Sequence, residues 1–117
     1  MNVNGEASGA PRVVLVGQQR FDPGQIVQSA HAANAALDSE TFGAFILDCL
    51  GRHLVGDWGE VGANDIGAND EALAAGDRLF SVYDLAGEHR DQFPGDAVWI
   101  VTEWDRSSTM VMFRSDY

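Results

Sequence analysis

The chain has 117 residues, 45% of them apolar, which suits one domain around one core and is too apolar for a disordered segment. Eighteen acids stand against seven arginines and no lysine, and a net charge of −11 disfavours direct contact with nucleic-acid phosphates. No apolar run nears the ~20 residues of a membrane span, and a single cysteine, Cys49, excludes an internal disulfide and suits a reducing cytoplasm. Met1 to Ala7 lacks the basic-then-apolar pattern of a signal peptide, so residues 1–10 read as a flexible lead-in and 11–117 as a single domain in the cytoplasm. Pro11 to Gly17 is a β-branched run that predicts a first strand. Asp22-Pro23-Gly24 is turn chemistry, and Gln25 to Gln28 is a brief extended segment. Ser29 caps an alanine-rich helix through about Leu37.

A second helix starts at Asp38-Ser39-Glu40. It sets Phe42, Phe45, Ile46, Cys49, Leu50 and His53 on one face, and Gly56 ends it. Residues 56–69 are rich in Gly, Asn and Asp and predict an ordered loop. A third helix follows over Asp70–Ala75, with Asn69 as its cap and Gly76 as its stop. Arg78–Asp84 alternates as a strand, with Phe80 and Val82 on one face and Leu79, Ser81 and Tyr83 on the other. Residues 86–96 predict a polar loop, Ala97–Trp104 a strong strand, Asp105–Ser108 a tight turn and Thr109–Arg114 the returning strand. These elements predict an α+β fold. A C-terminal three-stranded meander plus a short N-terminal strand would form a small antiparallel sheet, packed by two or three helices.

Polar chemistry concentrates in two motifs: Arg52-His53-Leu54-Val55-Gly56-Asp57-Trp58-Gly59, and Trp99 to Thr109 with Thr102-Glu103-Trp104-Asp105-Arg106-Ser107 at its centre. Gly56 and Gly59 permit positive φ, so the first motif can turn sharply and hold the Trp58 indole on the core, with Asp57 accepting from turn N–H groups. Asp57 can alternatively orient the His53 imidazole. In the second motif Asp105 and Arg106 can neutralise each other across the turn. Alternatively His53, Glu103 and Arg106 supply the acid, base and cation of a phosphodiester-cleaving site. Cys49 and His53 share a helical face. However, further soft ligands are lacking beyond His31 and His89, so no metal is expected, and the absence of a nucleophile elbow or phosphate loop leaves no cofactor expected.

Together the motifs resemble a family of small bacterial proteins carried on plasmids and other mobile elements, commonly labelled plasmid-related proteins or grouped with type I restriction subunit M. The likeness spans roughly residues 24–117 and rests also on Asn69, Gly76, Arg78, Ser81, Tyr83, Trp99 and Tyr117. The lead-in, the long 86–96 loop and an ending without proline depart from it. Between His53 and Asp77 lie six acids (Asp57, Glu60, Asp65, Asp70, Glu71, Asp77) and no arginine, with Asp84, Glu88, Asp91 and Asp96 beyond. Spaced carboxylates can imitate a phosphate array. With the mobile-element resemblance, this implies a non-catalytic anti-CRISPR or antirestriction inhibitor. Its partner would be the basic nucleic-acid channel of a host nuclease complex. The alternatives are a ribonuclease-like hydrolase, and a structural adaptor or homodimer using exposed tryptophans.

Overall fold

A computed structural model describes residues 13–117, apart from the side chains of residues 63–66. The lead-in at 1–10 and the first two residues of the predicted 11–17 strand lie outside the described residues. In chain order the elements are β1 (Gln25–Gln28), α1 (Ala30–Asp38), α2 (Glu40–Leu54), α3 (Ala63–Ala75), β2 (Leu79–Asp84), α4 (Gly87–Gln92), β3 (Ala97–Thr102) and β4 (Ser108–Phe113). A short 3-10 turn over Arg114–Asp116 follows them. The fold is α+β, with four strands in the order β1-β4-β3-β2. Strands β2, β3 and β4 form the expected antiparallel meander, while β1 joins β4 in parallel, so the sheet is mixed rather than antiparallel.

Local signals explain the helices. Ser29 accepts from the Ala32 N–H at 3.1 Å and Ser39 from the Phe42 N–H at 3.2 Å, each satisfying an orphan donor of a first turn. Gly76, at φ +78°, ends α3 in the left-handed conformation that L side chains resist. Residues 13–17 do not form the expected strand. Val14 and Val16 are exposed, and the place beside β4 is taken by β1. The segment instead runs across α2, where a Cβ on Gly51 would meet the Val14 carbonyl oxygen at 2.5 Å. Helix α3 begins at Ala63 with Gly62 as its cap, seven residues before the expected start. Asn69 is therefore inside the helix rather than capping it. The predicted 86–96 loop contains the short helix α4, whose Glu88 accepts from the Thr41 hydroxyl at 3.1 Å.

Strand alternation and register divide the sheet into two faces. The inner face carries Leu79, Ser81, Tyr83, Val98, Ile100, Thr102, Thr109, Val111 and Phe113, all of them buried. The main core joins five of these to Ala32, Phe42, Ile46, Cys49 and Leu50 of α1 and α2. A second cluster places Leu79 against Trp58 and Ala72. The outer face carries Val27, Phe80, Val82, Trp99, Val101, Met110 and Met112, none of which belongs to either core.

Candidate functional site

His53 sits in the last turn of α2, facing the sheet, and is fully buried. Its Nδ1 lies 2.5 Å from Ser81 Oγ and its Nε2 2.9 Å from Thr102 Oγ1. Thr102 Oγ1 is 2.7 Å from Thr109 Oγ1, and the Thr109 hydroxyl donates to the Pro23 carbonyl at 2.8 Å. Counting protons assigns every bond. Thr109 has given its one proton to Pro23, so Thr102 donates to Thr109. Thr102 then has no proton left, so His53 donates from Nε2–H, and Ser81 donates to the bare Nδ1. The imidazole is the neutral Nε2–H tautomer. Burial, with the Arg106 charge second, pushes its pKa down to about 3. Phe21 and Trp58 meet the ring edge-on, at centroid distances of 5.3 Å and 5.5 Å.

Asp57 does not orient His53. Its carboxylate takes the Arg52 guanidinium, Nε to Oδ2 at 2.7 Å and Nη2 to Oδ1 at 3.3 Å, because Arg52 and Asp57 flank the helix end on its exposed side. That hydrogen bond holds the Asp57 pKa below the usual carboxylate range. Asp57 also accepts from the Gly59 N–H at 3.2 Å, the turn role expected of it, and Trp58 is buried as the structural reading of the motif requires. The Trp58 indole donates to Asp70 at 3.1 Å, and the Tyr83 hydroxyl donates to the Asp57 carbonyl at 2.7 Å.

The same motif seals the free edge of β2. The Val82 N–H donates to the Trp58 carbonyl at 3.1 Å, and the Glu60 N–H donates to the Val82 carbonyl at 2.7 Å. Gly59, at φ +74°, makes this possible, since a Cβ there would overlap the Val82 carbonyl oxygen. Two residues earlier, the Asn69 side chain accepts from the Phe80 N–H at 3.0 Å and donates to the Phe80 carbonyl at 2.6 Å. Two residues later, the Asp84 N–H donates to the Glu60 carboxylate at 2.8 Å. Thus the edge-facing N–H groups of residues 80, 82 and 84 all have partners, and strand addition at this edge is blocked.

Glu103 and Arg106 act locally. Arg106 adopts φ +60° in the β3–β4 turn. Its Nη1 is shared among the carbonyls of Asp77 (2.6 Å), Glu103 (3.0 Å) and Trp104 (3.2 Å), and its Nη2 donates to Ala72 at 3.3 Å. The guanidinium therefore ties the turn to the carbonyl end of α3 rather than neutralising Asp105. Asp105 instead accepts from the Ser107 N–H at 3.0 Å, and its pKa is lowered by hydrogen bonds from Ser107. Glu103 faces Arg78, with 3.4 Å between Oε1 and Nε. No hydrogen bond joins the side chains of His53, Glu103 and Arg106 to one another among the described residues. The first is enclosed in the core, the second is paired at the surface and the third is bound to backbone.

The acids Asp57, Glu60, Asp70, Glu71, Asp77 and Asp84 are all exposed and lie along the flank formed by α3 and the β2 edge. The Asp65 side chain lies outside the described residues. Cys49 is fully buried, and burial raises its thiol pKa well above the ordinary range. Among the described residues no three His, Cys, Asp or Glu side chains converge as metal ligands, and no helix is long and apolar enough to cross a membrane. Ser81, Thr102, Thr109 and Asn69 carry much of this architecture and were not read as such from sequence. The signal available was a hydroxyl on the buried side of each alternating strand. Compared with protein-family models, curated proteins and solved structures, the chain matches none.

Proposed function

We propose that the chain is a non-catalytic binding protein that docks its acidic flank on a basic nucleic-acid channel of a host nuclease complex, as an anti-CRISPR or antirestriction inhibitor. The observation behind this reading is the exposure of Glu71, Asp77 and Asp84 along one flank, with none of them in an ion pair among the described residues. Such a surface steers toward cationic grooves and repels free nucleic acid. The mobile-element resemblance of the two motifs supplies the class of partner. The catalytic alternative lacks support, because its three side chains are occupied by separate structural contacts.

Not every acid on this flank serves for a test. Asp70 holds the Trp58 indole and Glu60 holds the Asp84 N–H, so changing either would disturb folding as well as docking. A triple variant, Glu71→Lys, Asp77→Lys and Asp84→Lys, leaves those contacts intact. Tagged wild-type protein is expected to retain a nuclease complex from a lysate at low salt, release it at high salt and inhibit its cleavage. The triple variant is expected to lose both retention and inhibition while keeping the wild-type circular dichroism. Full inhibition by the triple variant at low salt would overturn the reading.

A further inference from the structure

The outer face of the sheet bears a cleft of about 250 Å³ lined by Arg78, Phe80, Trp99, Val101 and Tyr117. We infer that this cleft is a binding site for a small aromatic carboxylate, its ring held against Phe80, Trp99 and Tyr117 and its carboxylate on Arg78. The three rings touch one another edge-on or tilted, so they form one apolar wall against which a ligand ring can lie rather than a slot between parallel faces. Phe80 meets Trp99 at 87° with centroids 4.8 Å apart, and Tyr117 meets Trp99 at 56° and 5.0 Å. Tyr117 is itself 72% exposed, so it flanks the cleft without being buried in it. The turn that carries it is pinned by Asp116, which takes the Ser29 hydroxyl at 2.7 Å and the Phe113 N–H at 3.0 Å.

Charge and hydrogen bonding decide the ligand class. Three aromatic rings alone would suit a cation over their faces, but the Arg78 guanidinium in the lining repels one and selects an anion. Arg78 faces Glu103, with 3.4 Å from Nε to Oε1, and its Nη donors have no hydrogen bond among the described residues. They can therefore take a carboxylate in the paired geometry that a guanidinium favours. Trp99 Nε1 is buried without a partner among the described residues, so its N–H signal reports on the ring's environment without itself bonding a ligand in the cleft. The volume suits one fused or single ring with a short acid arm. It is small for a nucleotide, and the net charge of −11 disfavours a polyphosphate. The cleft adjoins the acidic flank, since Arg78 follows Asp77, but its test changes none of the flank's acids, so failure of one reading is distinguishable from failure of the other.

The test uses ¹⁵N-labelled full-length protein and three probes of one shape: indole-3-acetate, neutral indole-3-acetamide and cationic tryptamine. The Trp99 indole N–H signal is assigned by its loss in Trp99→Phe. Indole-3-acetate is expected to shift that signal saturably. The acetamide should bind about tenfold more weakly, as loss of one charge-assisted pair implies, and tryptamine weaker still. Arg78→Gln should weaken indole-3-acetate by a similar factor without moving the signals of the His53 network. Three outcomes would overturn the site: no shift of the Trp99 signal by indole-3-acetate, equal shifts by all three probes, or undiminished binding to Arg78→Gln. The probe comparison on wild-type protein needs no variant to fold.

Discussion

His53 is a titratable side chain that the fold removes from titration. Its ring lies between two hydroxyls, and protonating Nδ1 would turn the Ser81 bond from donor–acceptor into donor–donor. The unfolded imidazole takes up a proton near pH 6.5, whereas the folded one does so only near about 3. Between these values the unfolded state binds more protons, so stability contributed by this site is complete above about pH 6.5 and declines as pH falls. The slope approaches about 1.4 kcal/mol per pH unit, so wild type should lose about 2 kcal/mol from this residue between roughly pH 7 and pH 5. Urea unfolding at both pH values measures it, with His53→Gln as the reference that lacks this share of the loss. The depressed Asp57 carboxylate remains in both proteins and titrates lower, so it cancels in the comparison. Imidazole ¹⁵N shifts give a second check. Nε2 should be protonated and Nδ1 bare at neutral pH, and the opposite pattern would refute the proton order derived above.

At the scale of elements, the edge of β2 is covered from two sides. The Gly56–Gly59 motif supplies a short parallel bridge at Val82, and one asparagine from α3 supplies the next pair of hydrogen bonds in place of a strand. Asn69 is suited to this because its amide both donates and accepts, whereas aspartate only accepts. Asn69→Asp should therefore leave the Phe80 carbonyl unpaired and set a carboxylate against it. Since Asn69 is only 5% exposed, the expected loss is about 2–3 kcal/mol in urea unfolding, and Asn69→Asp at wild-type stability would contradict this role. Part of this element was legible in advance. The glycines, Trp58 burial and the turn role of Asp57 follow from local chemistry. The role of Asn69 was not legible, since a helix-capping residue and a strand-pairing one look the same in a run of Asn, Asp and Gly.

At the scale of the molecule, repulsion among the 18 acids dominates over pairing. The described residues hold two ion pairs, Arg52–Asp57 and Arg78–Glu103, each partly solvated, and a His31–Asp116 hydrogen bond. Pairs of this kind contribute about 0–1 kcal/mol each, while the excess of −11 is spread over the whole surface. Salt screens both, and the larger effect is relief of repulsion. Raising sodium chloride from about 10 mM to about 200 mM, which shortens the Debye length from roughly 30 Å to below 10 Å, should raise the unfolding free energy by on the order of 1 kcal/mol. A fall in stability over the same range would show that the ion pairs outweigh the repulsion.

The sequence by itself determined the α+β class, the meander, the two faces of β2, the Ser29 helix cap and the burial of Trp58. Each depends on neighbours within a few residues, through hydrophobic period, capping or positive φ. Only the tertiary structure decided the rest. Alternation puts Ser81, Thr102 and Thr109 on the inner face, but their meeting with His53 depends on how α2 crosses three strands. Asp57 goes to Arg52 and Glu103 to Arg78 because a carboxylate pairs with whichever cation the packing brings near, and sequence spacing does not encode that. The parallel placement of β1 likewise follows from strand order, in which the first and last strands of the chain become neighbours. The outer face has the same origin: α1 and α2 cover one side of the sheet, and no outer-face residue joins either core cluster.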